Sequence, residues 1–323
     1  MKKKSIKILK IIIPLSLGIF LIWYSLGSAS PEEREELLNN IVNANPYWVA
    51  VSFILGTLSH LSRAYRWKYL LEPMGYRSRL GNSFMAVMVA YLANFGIPRS
   101  GEVLRAVTLT SYEKVPFEKG FGTIISERIA DLLILLCVIG IALSLHADNL
   151  LAYFSENDIN PLYTFAIFIL LIGIMLLVLR FIKKSNWAIA IKLKKIAKGM
   201  LEGMRSILNM KHKWPFILHT IFIWTMYVLM FHAIKFSIPE TSSLDLGVIL
   251  AAFVVGSFAV SATNGGIGVY PLAVAGILMY FGVSKEGAEA FGWISWTTQT
   301  CVVLLFGGLS FIFLPLYNRH KNN

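Results

Sequence analysis

Charged residues are scarce in this chain. Asp, Glu, Lys and Arg make up only 15% of its 323 residues, and 56% of the residues are hydrophobic. Soluble domains carry about 25% charged residues, so we expect lipid, rather than water, to surround most of the chain. The net charge of +12 does not indicate binding to nucleic acid, because long apolar runs divide the basic residues among short connecting segments.

Cysteine is nearly absent, and the spacings typical of metal or nucleotide sites are missing. The two cysteines, Cys137 and Cys301, stand inside apolar runs, which indicates no disulfide bond. None of the six histidines belongs to an HExxH pattern, and the sequence contains no P-loop. We therefore expect no metal site, no cofactor, no catalytic residue and no enzymatic activity.

Six apolar runs have about the length that a membrane-spanning helix needs, which is about 20 residues. The predicted spans are Ile8–Leu26, Tyr47–Leu61, Gly122–Leu145, Leu162–Ile182, Pro215–Phe236 and Ala288–Leu314. The predicted fold class is an all-α polytopic membrane protein, with residues 1–323 forming a single integral membrane domain. The first run also fits a signal peptide, but its length favours a retained span.

Lys and Arg accumulate in cytoplasmic loops of membrane proteins. They cluster at the amino terminus, at residues 63–79 and most strongly at residues 183–214, whereas the intervening loops are acidic. This distribution predicts that both termini are cytoplasmic. Apolar residues at helical spacing in 183–214 predict an amphipathic helix lying on anionic lipid.

Two further apolar stretches, Gly81–Pro98 and Leu244–Phe281, are interrupted by Gly, Pro, Asn or charge. The first must return to the cytoplasm before the next span, and Arg99–Gly120 is too polar for a lipid-facing return helix. It is therefore predicted to be a re-entrant hairpin that turns near Asn94–Gly101. The second is predicted to enter from the opposite face and turn at Ser261–Pro271, with two short full spans as the alternative.

The predicted order of span, span, hairpin, span occurs twice, with opposite orientation. The two halves are residues 8–145 and 162–314, joined by the basic segment 183–214. Inverted repeats with broken helices near the midplane are typical of secondary transporters.

The first hairpin carries charge where a lipid-facing helix would not. Arg99, Glu102 and Arg105 recur every three residues beside Asn94. A charge at the bilayer centre costs about 2.5–3.5 kcal/mol on insertion scales, so these groups should pair or face water. The functional hypothesis is that the arginines bind a lipid phosphate while Glu102 orients them. The alternative is a structural salt bridge.

The third span and the second hairpin add candidate residues. Glu127 and Asp131 share one helical face and could balance the hairpin arginines, while Arg128 serves there or as an interfacial anchor. In the second hairpin, the turn Asn264–Gly268 allows close backbone approach and is the predicted opposite gate. Close helix packing is the alternative role of these glycines. The residues of this predicted gate are Asn264, Gly265, Gly266, Gly268 and Tyr270.

These motifs resemble the lysylphosphatidylglycerol synthase transmembrane-region family. The resemblance rests on Arg63-x-x-Arg66-Trp67, on Asn94–Glu102 with Arg105, on Ser126-Glu127-Arg128-x-x-Asp131 and on the NGGIG turn. Family members are bacterial inner-membrane proteins called flippase-like, and some are fused to a cytoplasmic aminoacyltransferase domain. We expect no such domain here, so the transferase activity is not carried over. Members often have an acid after the second turn, where this chain has Tyr270-Pro271.

Together, the residues and the resemblance predict a non-enzymatic transporter in the bacterial cytoplasmic (inner) membrane. It would move a phospholipid or lipid-linked headgroup between leaflets. The alternatives are a small-ion transporter or channel, and a scaffold for lipid or glycan modification. The expected partners are membrane phospholipids or lipid-linked intermediates, a second copy of the chain or a lipid-modifying enzyme, and no nucleic acid. The predicted binding residues are Arg63, Arg66, Asn94, Arg99, Glu102, Arg105, Glu127, Arg128 and Asp131.

Overall fold

The computed structural model describes residues 30–97, 100–145 and 210–319, and over these residues the chain is helical with no β-strand. The predicted spans Ile8–Leu26 and Leu162–Ile182, and nearly all of segment 183–214, lie outside the described residues. The helices are α1 Pro31–Val42, α2 Pro46–Arg66, α3 Lys68–Leu71, α4 Leu80–Gly96, α5 Ser100–Glu113, α6 Phe117–Leu145, α7 Lys213–Ile234, α8 Leu246–Ala262, α9 Val269–Tyr280 and α10 Lys285–Tyr317.

Several helices begin at side chains that satisfy otherwise unpaired backbone N–H groups. Ser30 and Glu33 form a capping box at α1, in which each side chain accepts a hydrogen bond from the other's backbone N–H. Asn45 precedes Pro46 and caps α2. Asp245 caps α8 and Ser284 caps α10 in the same manner.

Within the described part of the chain, three helices, α6, α7 and α10, are long and apolar enough to cross a membrane. The α1–α2 segment, bent by 67°, qualifies as a fourth when it is counted as one broken span. At 1.5 Å per residue, α9 is only about 18 Å long, whereas the hydrocarbon core of a bilayer is about 30 Å thick. This length favours a re-entrant hairpin over two full spans at residues 244–281, although the total number of spans stays a prediction.

One end of the bundle, here called the Arg79 end, joins the base of the first hairpin to the end of α10. Arg79 at the start of α4 contacts Glu113 at the end of α5, with Nε–Oε1 at 3.2 Å. Asn82 and Asn318 exchange amide hydrogen bonds of 3.0 and 2.8 Å. Asn82 also donates to Glu113 at 2.6 Å. The first hairpin is thereby held at its base.

The opposite end, here called the Glu33 end, gathers the starts of α1, α2 and α10. Lys285 contacts Glu33 at 3.3 Å, and the hydroxyl and backbone N–H of Ser284 donate to Glu240. The second hairpin has its base here, because Leu244, just before α8, accepts a hydrogen bond from Lys235, just after α7. The two hairpins therefore enter the bundle from opposite ends.

The turns of the two hairpins meet inside the bundle. The ring of Phe95, at the end of α4, packs against Gly265. A Cβ added at Gly265 would stand only 2.5 Å from this ring. Gly265 has φ +64°, which also favours glycine. This contact joins the two turns that the sequence placed on opposite faces.

The helix contacts fall into matched pairs. Helices α2 and α7 pack against each other. The first hairpin packs on α10 through α4, and the second packs on α6 through α8. Likewise, α5 contacts α6 in the first half, and α9 contacts α10 in the second half. Helix α2 contacts α4 in the first half, and α7 contacts α8 in the second half. An inverted repeat would produce this pattern, but the repeat from 8–145 to 162–314 stays a prediction because the first run of each half lies outside the described residues.

Two helix bounds differ from the sequence prediction in a way that matters for the site. Helix α6 begins at Phe117 rather than Gly122, and α2 continues to Arg66 rather than ending at Leu61. A span predicted from hydropathy ends at the first charged residues of the helix. Here the helix continues because Arg63 and Arg66 find carboxylates within the protein.

Candidate functional site

The last two turns of α2 carry two arginines that meet two carboxylates of α6. Arg63 Nη1 donates to Glu127 Oε1 at 2.5 Å and to Asp131 Oδ2 at 2.6 Å. Arg66 Nη1 donates to Asp131 Oδ1 at 3.0 Å, and its Nη2 lies 3.2 Å from Glu127 Oε1. The spacing of four places both carboxylates on one helical face, so α2 and α6 are joined by a double ion pair.

A third arginine reaches one of these carboxylates, Glu127, from the first hairpin. Arg105 of α5 binds Glu127 through two hydrogen bonds, of 3.1 and 2.9 Å. Its guanidinium also lies over the Trp67 ring, with Cζ 3.8 Å from the centroid, and the indole Nε1–H of Trp67 donates to Thr123 at 2.9 Å. A planar guanidinium suits this combination of two-point pairing and stacking.

These five side chains form what we call the arginine cluster. Their exposed fractions are 2% for Arg63, 0% for Arg66, 3% for Arg105, 0% for Glu127 and 5% for Asp131. Three guanidiniums and two carboxylates give the cluster a formal charge of +1. Removing buried charges from water is costly unless each is paired and hydrogen-bonded, and a net positive charge favours the approach of an anion.

A narrow cleft of about 10 Å³ opens beside the arginine cluster. It is far smaller than ligand pockets, which begin at about 300 Å³, so a phosphate group can enter only when the lining side chains move apart. Arg105 joins the cleft to the cluster. The lining residues are Val87, Ala90, Tyr91, Asn94, Gly101, Glu102, Arg105 and Arg128.

A second ion pair stands at the mouth of the cleft. Arg128 Nη2 lies 3.2 Å from Glu102 Oε1, and the Arg128 side chain is 44% exposed. The other carboxylate oxygen of Glu102 is buried and has no hydrogen-bond partner among the described residues. Glu102 therefore pairs with Arg128 here, whereas the sequence predicted that it orients Arg99 and Arg105. Arg99 lies outside the described residues.

Asn94 closes the first hairpin. Its Oδ1 accepts a hydrogen bond of 2.8 Å from the backbone N–H of Gly101. A Cβ at Gly101 would collide with the carbonyl oxygen of Ala90, so glycine lets α4 and α5 approach closely here. The side of the cleft formed by the hairpin is thus fixed by backbone contacts as well as by charge.

The turn of the second hairpin spans residues 263–268, between α8 and α9. Gly265, Gly266 and Gly268 all have positive φ, from +64° to +80°. Asn264 is buried, and neither polar atom of its amide has a partner among the described residues. Tyr270 is also buried and lies beside Ser295 and Gln299 of α10.

The structure brings together most of the residues that the sequence singled out in the first half. It adds side chains that had no sequence signal. Tyr91 lines the cleft and its hydroxyl lies 3.5 Å from that of Tyr227, while Thr220 accepts a hydrogen bond from Arg66 at 2.8 Å. Lone Tyr and Thr residues in apolar helices are too common to indicate a site, so these partners could be found only from the packing of α7 on α2.

Metal ligands do not cluster at this site. Across residues 30–97, 100–145 and 210–319, no group of three or more His, Cys, Asp or Glu side chains could hold a metal ion. The chemistry that the arginine cluster offers is the binding of an oxyanion by guanidinium N–H groups.

Comparison with known protein families gives a match over nearly the whole chain. The family described as "Lysylphosphatidylglycerol synthase TM region" matches residues 11–315. A membrane family and apolar helices of spanning length together make this a multi-pass membrane protein. No solved structure matches the chain significantly.

Three curated relatives match shorter segments. A UPF0104 membrane protein of Methanocaldococcus jannaschii is 30% identical over 105 residues, which are 32% of this chain and 31% of that protein. Glycosyltransferase AglD of Haloferax volcanii is 28% identical over 112 residues, which are 34% of this chain and 18% of AglD. A UPF0104 membrane protein of Methanothermobacter thermautotrophicus is 26% identical over 113 residues, or 34% of this chain and 30% of that protein. Each match therefore spans about a third or less of the relative.

Proposed function

Because this chain belongs to the lysylphosphatidylglycerol synthase TM-region family, we propose that it is a flippase-like carrier without enzymatic activity. It moves an anionic phospholipid, or a lipid-linked phosphate headgroup, between the leaflets of the cytoplasmic membrane. The observation that carries this proposal is the arginine cluster, which is buried, has a formal charge of +1 and reaches a cleft through Arg105.

The cleft supplies the first binding step. A phosphate entering it meets Arg105 at the cluster and Arg128 at the mouth. Phosphate oxygens then replace Glu102 as the partner of Arg128, since guanidinium groups bind phosphate and carboxylate in the same two-point geometry. The acyl chains remain in the bilayer beside the apolar outer faces of the helices.

Passage to the other leaflet takes the headgroup beyond the contact of Phe95 with Gly265. The second hairpin offers the amino-terminal end of α9 there, which follows Gly268 and has no side-chain cap. The amino-terminal end of a helix favours negative charge. The two hairpins thus supply one polar surface for each half of the route.

The Arg79 end faces the cytoplasm in this proposal. Arg77, Arg79 and Lys68 lie towards that end, whereas the Glu33 end carries Glu33 and Glu240. An excess of Lys and Arg marks the cytoplasmic side of membrane proteins. The cleft of the first hairpin therefore loads from the cytoplasmic leaflet.

A scrambling assay tests the proposal with the full chain in proteoliposomes containing fluorescent phosphatidylglycerol. The wild-type protein should make inner-leaflet lipid accessible to a membrane-impermeant quencher. Arg128→Gln should lower the rate about tenfold, as expected when one charge-assisted hydrogen bond is lost. Lys285→Gln is the matched control, because the Lys285–Glu33 pair has a similar length of 3.3 Å and Lys285 a similar exposure of 40%.

Two results would contradict the proposal. A wild-type rate no higher than that of empty vesicles would contradict lipid movement, and an equal loss in both variants would contradict phosphate binding by Arg128. Flux of a labelled inorganic anion that depends on Arg128 without any lipid scrambling would instead identify an ion channel.

A scaffold for glycan or lipid modification is the second candidate, and the similarity to Glycosyltransferase AglD of Haloferax volcanii favours it. In a scaffold, the Glu102–Arg128 pair is only structural. The double substitution Glu102→Met with Arg128→Met should then preserve function, because the pair is replaced by apolar side chains of similar length. A carrier with these substitutions should lose transport of anionic lipid.

A further inference from the structure

Asn264, in the turn of the second hairpin, carries hydrogen-bonding capacity that the protein does not use. Its side chain is 1% exposed, and both the amide oxygen and the amide nitrogen lack a partner among the described residues. Buried polar groups of this kind are rare, and each needs an explanation. A primary amide both donates and accepts hydrogen bonds.

The turn does not need this amide for its own closure. In the first hairpin, Asn94 holds the turn by accepting from Gly101 N–H. In the second hairpin, the Thr263 hydroxyl accepts from Gly266 N–H at 3.1 Å, and Trp296 Nε1–H donates to the Gly265 carbonyl at 2.9 Å. Asn264 is therefore available to a ligand.

The turn that carries Asn264 has no charged side chain, since residues 261–271 contain no Asp, Glu, Lys or Arg. On the neighbouring α10, Gln299 lies beside Tyr270, and its amide nitrogen is buried without a partner among the described residues. A charged ligand group would find no charged side chain in this turn and only the partial charge at the start of α9, whereas hydroxyl groups, which both donate and accept, match two amides.

We propose that Asn264 and Gln299 bind the uncharged, hydroxyl-bearing part of the transported headgroup, a glycerol or sugar unit. The phosphate of the same headgroup is held by Arg105 and Arg128 across the contact of the two hairpin turns. This inference rests on the proposed lipid transport and adds a selectivity to it. The protein discriminates between anionic lipids of equal charge by their hydroxyl groups.

The test compares two fluorescent lipids of the same charge, phosphatidylglycerol with two free hydroxyls and phosphatidylethanol with none, in proteoliposomes of the full chain. The wild-type protein should move phosphatidylglycerol faster. Asn264→Leu should lower the ratio of the two rates about tenfold, as expected when two neutral hydrogen bonds are lost. Gln299→Leu should lower the ratio in the same direction.

Thr298→Val is the matched control on α10, because the Thr298 hydroxyl already donates to the Ile294 carbonyl at 2.7 Å. It should keep the wild-type ratio. The thermal unfolding temperature gives a second readout. A structural role of the Asn264 amide requires the temperature to fall in Asn264→Leu, whereas a ligand role requires it to stay equal or to rise.

An unchanged ratio in Asn264→Leu, or a lower unfolding temperature, would overturn the inference. If the wild-type protein moves neither lipid, the proposed transport fails, and retention of the two lipids is then compared by native mass spectrometry of the purified protein. Preferential retention of phosphatidylglycerol that is lost in Asn264→Leu would still support the hydroxyl site. Equal retention of both lipids would overturn it.

Discussion

Glu127 stands at the centre of the arginine cluster, because its carboxylate contacts guanidiniums from two different helices. Oε1 receives Arg63 and Arg66 from α2, and both oxygens receive Arg105 from α5. The carboxylate is completely buried. The stability of the cluster and its readiness to bind an anion therefore depend on the same residue.

Glu127→Gln should destabilise the protein strongly. The substitution removes one of two negative charges opposite three buried guanidiniums, and breaking such a pair costs about 3–5 kcal/mol. Thermal unfolding in detergent measures the loss. Glu102→Gln, at the mouth of the cleft, is the control and should change the unfolding temperature little. Equal unfolding temperatures for the two variants would show that the buried pairs do not support the fold.

The capping box at α1 predicts a local dependence on pH. The pKa of the Glu33 carboxylate lies below its usual 4.5, mainly because it accepts from the Ser30 backbone N–H and further because of Lys285. A lowered folded-state pKa means that the stabilisation is present above the unfolded value and is lost as pH falls through the folded value. Hydrogen-exchange protection of α1 should therefore decrease in acid below pH 4.5. Glu33→Gln should show a smaller decrease, and the remainder is expected from Glu32, whose pKa is also lowered by hydrogen bonds at the start of α1.

The sequence patterns identified which residues form the arginine cluster, but they did not identify every pair that these residues form. The spacing of Glu127 and Asp131 correctly places both on one face, and Arg105 meets Glu127. Asp131, however, pairs with Arg63 and Arg66 of α2 rather than with the hairpin. Periodicity within one helix indicates which residues share a face, but not which helix packs against it.

At the scale of elements, the two hairpins depend on close contact between backbone and side chains. The turns meet through Phe95 and Gly265, and Gly101 allows α5 to approach α4. Interruption of the apolar runs by Gly, Pro and Asn was sufficient to locate both turns in the sequence. Their mutual contact was not predictable, because no local pattern links residue 95 to residue 265.

Gly265→Ala should lower stability for two separable reasons. The positive φ disfavours any residue with a Cβ by about 1–2 kcal/mol, and the new Cβ would stand 2.5 Å from the Phe95 ring. Adding Phe95→Ala should restore only the part due to the clash, and a double-mutant cycle measures that part. Gly96→Ala is the control, since nothing lies within 4 Å of its added Cβ. Additive effects of Gly265→Ala and Phe95→Ala would contradict contact between the turns.

At the scale of the whole molecule, the two ends of the bundle differ in charge: the Arg79 end is basic and the Glu33 end is acidic. Arg77 is exposed towards the Arg79 end, and Glu35 is exposed on α1 at the Glu33 end. The sequence predicted this separation from loop charges alone. The packing of α7 on α2 and of each hairpin on the last helix of the other half required the structure, because those contacts join distant parts of the chain.

Cysteine labelling tests the orientation. In a background with Cys137→Ser and Cys301→Ser, Glu35→Cys in intact cells should react with a membrane-impermeant maleimide. Arg77→Cys should react only after the membrane is opened, because the positive-inside rule places the Arg79 end in the cytoplasm. The reverse pattern would invert the topology and would make the first hairpin load from the outer leaflet.

The packing of the first hairpin on α10 also has a consequence for the order of folding. Helix α4 is synthesised early, yet the helix that supports it, α10, is the last of the described helices to be synthesised. Until α10 inserts, Asn82 lacks Asn318 as its partner. The buried charges of the first half can already pair with one another, since Arg63, Arg66 and Arg105 meet Glu127 and Asp131 within α2, α5 and α6. The base of the first hairpin, in contrast, stays without its support until α10 is made, and a ribosome that stops before α10 releases a chain in which α4 has no partner helix on that side.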